Sequence, residues 1–359
     1  MDILQATREY EAWLGERLTL IPEDIEKKHA LMAESPFPFL RATFYRWAQE
    51  WPRISPESAD GPRVLAIGDL HVENFGTWRD SEGRLIWGIN DFDEAYPLPY
   101  TCDLVRLAAS AHLAAASENL SIEAGRASEA ILEGYRQGLH AGGRPFVLAE
   151  HHPSLREMAV ERLKQPEHYW EKLNALKTCR RKIPASARKA LRRALPERNL
   201  DYRIAHRAGG LGSLGRRRFV ALAQWNSGTI AREAKELTVS AWLWAHPGRK
   251  REPRIYYQEV MERMVRCPDP TVHVRRRWIV RRLAPDCSRI ELSSLPGKHD
   301  ATRLLHAMGW ETANVHLGSQ KAAVIAADLR RRPGGWLRQA ALRMSQSVED
   351  DWNTWRKRK

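Results

Sequence analysis

Apolar side chains recur with helical periodicity between residues 103 and 195. The clearest run is Ile131, Leu132, Tyr135 and Leu139, whose spacing would place them along one face of a helix. Residues 1–50 also have a helical pattern, which is interrupted at the two prolines of SPFPF. Because paired prolines stop a helix and favour extended backbone, this part of the chain predicts two helices joined by an extended link.

Two other parts of the chain have the short apolar runs that are typical of strands. VLAI at 64–67 and RLIWGI at 84–89 lie on either side of a polar segment and a DSEG turn. Residues 202–292 contain further runs of this kind, including RFVALAQW and RWIVRRL, between glycines and prolines. The chain therefore changes to a predicted β-rich segment after residue 200.

Helical periodicity returns near residue 300. Asp300 is the predicted N-cap of a helix that extends to residue 317, and the PGG break at 333–335 precedes a last helix over about 336–355. The apolar positions of these two helices are Leu304, Leu305, Met308, Thr312 and Val315, and Leu337, Ala341, Met344, Val348 and Trp355.

These patterns predict an α+β protein in three segments. Residues 1–200 would form a large helical lobe with catalytic and metal-binding loops, residues 201–292 a small β-rich lobe with a glycine-rich loop, and residues 293–359 helices that complete the large lobe. The 359 residues are 43% hydrophobic and 28% charged, as expected for a globular protein with a substantial core.

Charge and cysteine usage narrow the possible partners. The net charge is +14, with arginine-rich runs such as CRRKIPASARKALRR at 179–193, which suit nucleic acid or a phosphorylated ligand but also a solvated surface. No apolar run approaches the roughly 20 residues of a membrane helix and the start is polar and acidic, so we expect a cytoplasmic protein without a membrane partner. The four cysteines are widely spaced without a CxxC pair, which predicts reduced thiols.

Two polar motifs suggest phosphoryl transfer, a reaction that needs a base near the acceptor hydroxyl and oxygen ligands for Mg²⁺. In GDLHVENFG at 68–76, Asp69 and Asn74 have the spacing of the base and the metal-binding Asn in a kinase catalytic loop. Asp91 follows a short strand, where the second metal-binding Asp is expected, and Asp93 is the nearby alternative ligand. The pair alone is weak evidence, because Asp69 could cap a turn and Asn74 could bond loop backbone.

A glycine-rich motif, GLGSLG at 210–215, supplies a candidate cover for the triphosphate. Because a strand-like run follows it instead of a helix, it predicts the glycine hairpin of kinases and not a dinucleotide-binding turn, although an ordinary hairpin turn remains possible. Gly210, Gly212 and Gly215 would let backbone amides approach phosphates, and Ser213 could add a hydroxyl.

The strand that follows the glycine hairpin also carries a candidate phosphate ligand. Lys235 is predicted to contact the α- and β-phosphates of ATP and to take part in catalysis. Glu259 is the first choice for its carboxylate partner, and Glu262 is the second.

The order of these motifs differs from that of kinases, in which the glycine loop and the lysine come first. A circular permutation would account for the difference, with residues 202–292 as the small lobe and the helix at 300–317 lying just before the strand that leads to Asp69.

The motifs SPFPFLRATF, GDLHVENFG, INDFDEAYPLPYTCDLVRLAAS, GLGSLGRRRFVAL, AKEL and WIVRRL, in that order, resemble a bacterial family called domain of unknown function 2252, over most of the chain from about Lys28. GDLHxxN followed by an isoleucine-rich strand and an Asp is also similar to aminoglycoside phosphotransferases and other kinase-like enzymes. The resemblance implies a kinase-like fold in which Asp69 is the base, Asn74 and Asp91 bind metal, and Asp103 braces the catalytic loop. It names no substrate, and INDFDEA lacks the glycine of the kinase DFG motif.

The predicted function is ATP- and Mg²⁺-dependent phosphoryl transfer to an unidentified hydroxyl on a small molecule or protein. Adenylyl transfer from the same nucleotide is an alternative. A third is an inactive kinase-like shell that binds nucleic acid through its Arg-rich strands. Trp225, Trp242, Trp244 and Trp278 lie in apolar runs, however, and are expected in the core.

A metallophosphoesterase is the remaining alternative, because Asp69 and His71 form the D-x-H pair that opens such sites. The further GNH and GHxH motifs of that class are lacking, and GKHD at 297–300 is a poor substitute. We therefore expect His71 to order the loop.

Overall fold

The computed structural model describes residues 1–117, 123–161, 166–248, 253–287 and 298–358, and these ranges form a mixed α+β structure. None of the helices in these ranges is long and apolar enough to cross a membrane. The cysteines Cys102, Cys179, Cys267 and Cys287 are all free thiols, as predicted. The predicted boundary at residues 292 and 293 lies outside the described residues.

The amino-terminal part of the chain is helical, but it does not contain the predicted extended link. Its helices are α1 (Ile3–Gly15), α2 (Pro22–Glu34), α3 (Pro36–Ala42), α4 (Phe44–Ile54) and α5 (Pro56–Ala59). At the start of the SPFPF motif Ser35 is extended, and Pro36 occupies the first turn of α3, where a missing N–H costs nothing. The SPFPF motif therefore starts a helix.

Short strands surround the two acidic motifs. They are β1 (Arg63–Ala66), β2 (Phe75–Arg79), β3 (Leu85–Ile89) and β4 (Tyr96–Pro99). The two strand-like runs form β1 and β3, as predicted, but they do not pair with each other: β1 pairs with β4, and β3 pairs with β2. Both acidic motifs consequently lie at strand ends.

A long helical stretch follows, with one short strand in it. The elements are α6 (Thr101–Ser117), α7 (Ala124–His140), β5 (Phe146–Val147), α8 (Pro153–Glu161), α9 (Pro166–Asn174) and α10 (Ala185–Ala194). The strand β5 adds to β3, which gives the three-stranded sheet β2–β3–β5.

The segment predicted to be β-rich forms a five-stranded antiparallel sheet. Its strands are β6 (Arg203–His206), β7 (Arg218–Trp225), β8 (Gly228–Glu236), β9 (His273–Arg275) and β10 (Trp278–Leu283), in the order β6–β7–β8–β10–β9. Two short helices, α11 (Trp242–Ala245) and α12 (Tyr257–Arg263), connect β8 to β9. One face of the sheet packs on α10 through residues such as Phe219, Ala234 and Trp278.

The carboxy-terminal helices are α13 (Lys298–Leu317), α14 (Ala322–Arg331) and α15 (Trp336–Arg356). The predicted apolar faces of α13 and α15 are buried, against α7 and α6 respectively. The helix α13 begins two residues before Asp300, so the predicted N-cap position is wrong. Trp242 and Trp278 are buried as predicted, whereas Trp225 and Trp244 are only partly buried.

Candidate functional site

A cavity of about 310 Å³ brings the separate sequence motifs together. Its lining includes Asp69, Asn74, Asp91 and Asp93 from the loops after β1 and β3, and Gly210, Gly212 and Ser213 from the hairpin between β6 and β7. This volume is at the lower end of the range of about 300–1,000 Å³ for small-molecule sites. Segments that are more than a hundred residues apart in sequence thus form one site.

The backbone before Asp69 is held by a buried carboxylate. Asp103 of α6 accepts hydrogen bonds from the N–H groups of Ile67 at 2.7 Å and Gly68 at 2.9 Å. Gly68 has a φ of +80°, and a Cβ atom there would lie 2.5 Å from the carbonyl oxygen of Glu94. Both features direct the chain into the Asp69 turn, and Asp103 has the bracing position that the family resemblance implied.

Asp69 is anchored through one of its two carboxylate oxygens. The guanidinium of Arg106, which is fully buried, donates from both Nε, at 3.0 Å, and Nη2 to Asp69 Oδ1. Burial raises the pKa of Asp69 to about 7, against the opposing effect of Arg106. A buried carboxyl group with a perturbed pKa in a cavity is a candidate functional residue.

Asn74 and His71 order the loop that follows Asp69. Asn74 Oδ1 accepts from the backbone N–H of His71 at 2.7 Å, and His71 Nδ1 accepts from the N–H of Glu73 at 3.2 Å. These bonds cap the 3-10 turn at Val72–Asn74. His71 thus orders the loop as predicted. The side-chain oxygen of Asn74, which was predicted to bind metal, already accepts a hydrogen bond from the loop backbone.

Lys235 of β8 pairs with both acidic residues of the INDFDEA motif. Its Nζ donates to Asp91 Oδ1 and Oδ2 at 3.1 and 3.2 Å and lies 2.7 Å from Asp93 Oδ1. Burial would raise the pKa of Asp91, but Lys235 and Arg281 outweigh it and lower that pKa. Burial and the neighbouring charge of Asp91 raise the pKa of Asp93. The lysine side chain is 2% exposed, so this is a buried cluster of charges.

The predicted ion pair between Lys235 and Glu259 is wrong. Glu259 of α12 instead pairs with Arg254 at 2.6 Å and with Arg263 at 2.8 Å. The second choice, Glu262, accepts from the side chain of Gln258 at 2.6 Å. The Asp91 and Asp93 carboxylates therefore replace the expected glutamate.

The glycine hairpin covers Asp69 directly. A Cβ atom at Gly212 would lie 3.2 Å from Asp69 Oδ2 and 3.0 Å from the carbonyl oxygen of Arg41, so a larger residue would press on the Asp69 loop. Gly210 also lines the cavity, but Gly215 is outside its lining, and the Gly215 carbonyl accepts from the N–H of Ile21 at 2.9 Å.

Ser213 does not present a free hydroxyl at the tip of the hairpin. Its Oγ accepts from Arg218 Nη2 at 2.7 Å. Arg216 joins the hairpin to the acidic loop, since its Nη2 donates to Glu94 Oε1 at 2.9 Å, and Glu94 Oε2 accepts from the N–H of Ala241 at 2.6 Å. The hairpin is thus tied to the loop below it.

The acidic residues of the cavity are the candidate ligands for a metal ion. No group of three or more His, Cys, Asp or Glu side chains in the described ranges is arranged as a complete metal site. Mg²⁺, however, is usually bound by one or two carboxylates together with phosphate oxygens and water. Asp91 and Asp93, which share the single positive charge of Lys235, are the carboxylates that could hold such an ion.

Sequence reasoning did not identify the arginines of the site. Arg106 lies on α6 in the motif CDLVRLAAS, and its position one helical turn after Asp103 could have indicated a shared face. On the sheet, Arg207, Arg218 and Arg281 surround the buried carboxylate of Glu233. No local signal distinguishes these arginines from the many that are exposed.

The fold and the cavity together define a mixed α+β protein with a charged internal site. The model of one protein family, described as an uncharacterised protein conserved in bacteria (domain of unknown function 2252), matches residues 20–168 and 171–358. The chain therefore belongs to this family, which confirms that part of the resemblance. No curated protein and no solved structure matches the chain.

Proposed function

We propose that this protein is an ATP- and Mg²⁺-dependent phosphotransferase with a hydroxyl-bearing acceptor. The observation that chiefly supports the proposal is that the glycine hairpin, Asp69 and the Asp91–Asp93 pair line one cavity. Lys235 lies directly behind that pair and contacts both carboxylates. These are the groups that phosphoryl transfer requires: cover for the phosphates, a cation, carboxylates for Mg²⁺ and a base.

The proposal includes a circularly permuted kinase-like fold. It is supported by the end of α13, which lies beside the strand that leads to Asp69. The N–H of Leu65 donates to Ser319 Oγ at 2.7 Å, and His316 Nε2 lies 2.9 Å from Asp103 Oδ2. In an unpermuted order, a helix with these contacts would precede β1 in the sequence.

ATP would bind with its triphosphate between the glycine hairpin and the acidic loops. Asp91 and Asp93 would bind Mg²⁺, which supplies charge neutralisation to the phosphates when it is bound. Lys235 would then exchange part of its contact with these carboxylates for the α- and β-phosphates.

In the proposed reaction the acceptor oxygen forms a bond to the γ-phosphorus atom of ATP. The bond between that phosphorus and the bridging oxygen breaks, and ADP leaves with the electron pair. Asp69 Oδ2 takes the acceptor proton, since both hydrogen bonds from Arg106 go to Oδ1 and Oδ2 faces Gly212. Arg106 holds the carboxylate in place for this step.

Adenylyl transfer is the second candidate, and the arginines around Glu233 favour it. They would accept β- and γ-phosphates at a distance from Asp69, which would leave the α-phosphorus nearer the base. The two reactions differ in the bond that breaks, so their products separate them. Phosphoryl transfer releases ADP, and adenylyl transfer releases pyrophosphate.

The first test is Mg²⁺-dependent thermal stabilisation by ATP. A ligand at 100 times its Kd adds about 2.7 kcal/mol to the unfolding free energy. We expect ATP with Mg²⁺ to raise Tm in the native protein, and Asp91→Ala and Lys235→Met to abolish this shift because each removes a charge from the buried cluster. Differential scanning fluorimetry with and without EDTA measures it.

Glu259→Gln is the control for this test. Sequence reasoning placed Glu259 at the nucleotide, but its observed partners are Arg254 and Arg263, so we expect the Mg²⁺–ATP shift to persist in this variant. If no nucleotide changes the Tm of the native protein, the proposed function is wrong.

The pH dependence provides a separate test of Asp69. Its pKa is raised to about 7, chiefly by burial, and only its ionised form can accept a proton. We therefore expect kcat/KM to fall as the pH drops through about 7, by nearly tenfold per unit at lower pH, because this parameter reports the free enzyme. A kcat/KM that stays constant down to pH 5 would exclude Asp69 as the base.

A further inference from the structure

A cluster of three arginines and one glutamate lies on the cavity face of the five-stranded sheet. Glu233 is fully buried and pairs with Arg207 at 2.5 Å, Arg218 at 3.2 Å and Arg281 at 2.8 Å. All three arginines line the cavity. The cluster therefore has two more positive than negative charges.

The strand register places this cluster beside the Lys235 site, on the same face of the sheet. Glu233 and Lys235 are two residues apart on β8, so both side chains point to the same face, about 7 Å from each other along the strand. Arg281 of β10 is directly opposite Glu233, and Arg218 of β7 is opposite Lys235. The intervening residue, Ala234, packs towards α10. Both charged groups are thus built into the sheet on its cavity side.

Burial makes the excess charge costly unless an anion compensates for it. Grouped cations in a partly desolvated site repel each other, and one carboxylate balances only one of three guanidinium groups. The acidic residues Asp69 and Asp91 of the cavity already have cationic partners of their own, Arg106 and Lys235. The excess positive charge around Glu233 therefore favours the binding of an anion.

Two of the three arginines, Arg207 and Arg281, remain partly accessible, whereas the side chain of Arg218 is 4% exposed. The side chains of Arg207 and Arg281 are 32% and 24% exposed, whereas Glu233, which holds them, is 0% exposed. A guanidinium group can donate to a carboxylate on one edge and to a phosphate on another, in a planar geometry that lysine does not offer. Glu233 thus fixes the positions of the arginines but leaves some of their N–H donors available to a ligand.

We propose that Arg207, Arg218 and Arg281 form a phosphate-binding subsite, separate from the contact that Lys235 makes, which takes a phosphate or diphosphate group. The group belongs either to the nucleotide itself or to a phosphorylated acceptor. The subsite itself follows from the charges of the three arginines and Glu233. Only the choice between these two sources of the phosphate rests on the proposed function.

The test uses pyrophosphate alone, with the full-length protein and without Mg²⁺. We expect isothermal titration calorimetry to detect binding that weakens with added salt, and Arg207→Gln to weaken it at least tenfold. Arg281→Lys, which keeps the charge but loses the fork of donors, should also weaken it. Arg207 and Arg281 are both partly exposed, and Glu233 keeps two arginine partners in the first variant.

Arg217→Gln is the matched control. Arg217 also pairs with a fully buried glutamate, Glu236, at 2.7 Å, but it stacks over Trp278 on the α10 side of the sheet. This variant should bind pyrophosphate as the native protein does. The proposal is overturned if pyrophosphate does not bind the native protein, or if Arg207→Gln weakens binding no more than Arg217→Gln does.

Competition with ATP identifies the source of the phosphate. If pyrophosphate competes with Mg²⁺–ATP, and Arg207→Gln weakens ATP binding more than AMP binding, the subsite takes the phosphates of the nucleotide. If the two bind together, it takes a phosphate of the acceptor. Pyrophosphate binding without any nucleotide binding would retain the subsite and refute the proposed function, so the two failures are distinguishable.

Discussion

Asp69→Asn is expected to lower turnover by about 10³-fold, equal to about 4 kcal/mol of activation free energy, while Mg²⁺–ATP binding is retained. The amide has no basic oxygen with which to take the acceptor proton. Its Oδ1 can still accept from Arg106, and Arg106 keeps its bond to the carbonyl oxygen of Leu40 at 2.9 Å, so the buried guanidinium is not left without partners. Steady-state turnover and the ATP-induced Tm shift, measured on the same preparation, separate the two effects.

Glu73→Gln is the control for the Asp69 variant. Glu73 is an acid of the same loop that also lines the cavity, but it pairs with Arg41 at 2.8 Å. We expect its neutralisation to leave turnover largely unchanged. Full activity in Asp69→Asn would show that another group accepts the proton, or that the acceptor needs no base.

The location of the site could be predicted from sequence because its chemistry is concentrated in short motifs. Asp69, Asp91 and Lys235 each stand at the end of a strand or within one, and the strand patterns that reveal this are local. The convergence of the glycine hairpin on Asp69 followed from chemical analogy. It was confirmed by the 3.2 Å approach of a Gly212 Cβ position to Asp69 Oδ2.

The identity of ion-pair partners could not be predicted in the same way. Glu259 was chosen because it lies on a helix after Lys235. It forms ion pairs instead with Arg254 and Arg263, which are close to it in the sequence. Lys235 pairs with Asp91, which is 144 positions away in sequence. Pairing at such separations depends on how the sheets pack, which residue patterns do not encode.

The SPFPF motif shows how a local rule can predict the wrong element. Proline breaks a helix in its interior but is favoured in the first turn, and a sequence alone does not reveal which position it occupies. Here Ser35 is extended and Pro36 starts α3, whose carbonyl at Leu40 then accepts from Arg106. The motif was expected to interrupt a helix, but it begins α3, and α3 supports Arg106, which in turn anchors Asp69.

Asp103→Ala is expected to destabilise the protein by about 3–5 kcal/mol, because it removes one partner from a buried polar cluster. Asp103 is fully buried, and it receives the N–H groups of Ile67 and Gly68 as well as His316 Nε2. The substitution would leave all three donors buried without an acceptor, and each such group costs about 1–3 kcal/mol.

Asp103→Asn separates shape from charge at this position. An asparagine has nearly the same volume but only one acceptor oxygen, so its amide N–H₂ would face a backbone donor, and we expect most of the loss to persist. Urea unfolding measures both variants, with Glu57→Ala as the control, since its partner Arg343 and its own side chain are 43% and 60% exposed and such pairs contribute about 0–1 kcal/mol. A loss in Asp103→Ala as small as that of the control would mean that the Asp69 loop keeps its conformation without this carboxylate, and another constraint on Gly68 would then have to position the proposed base.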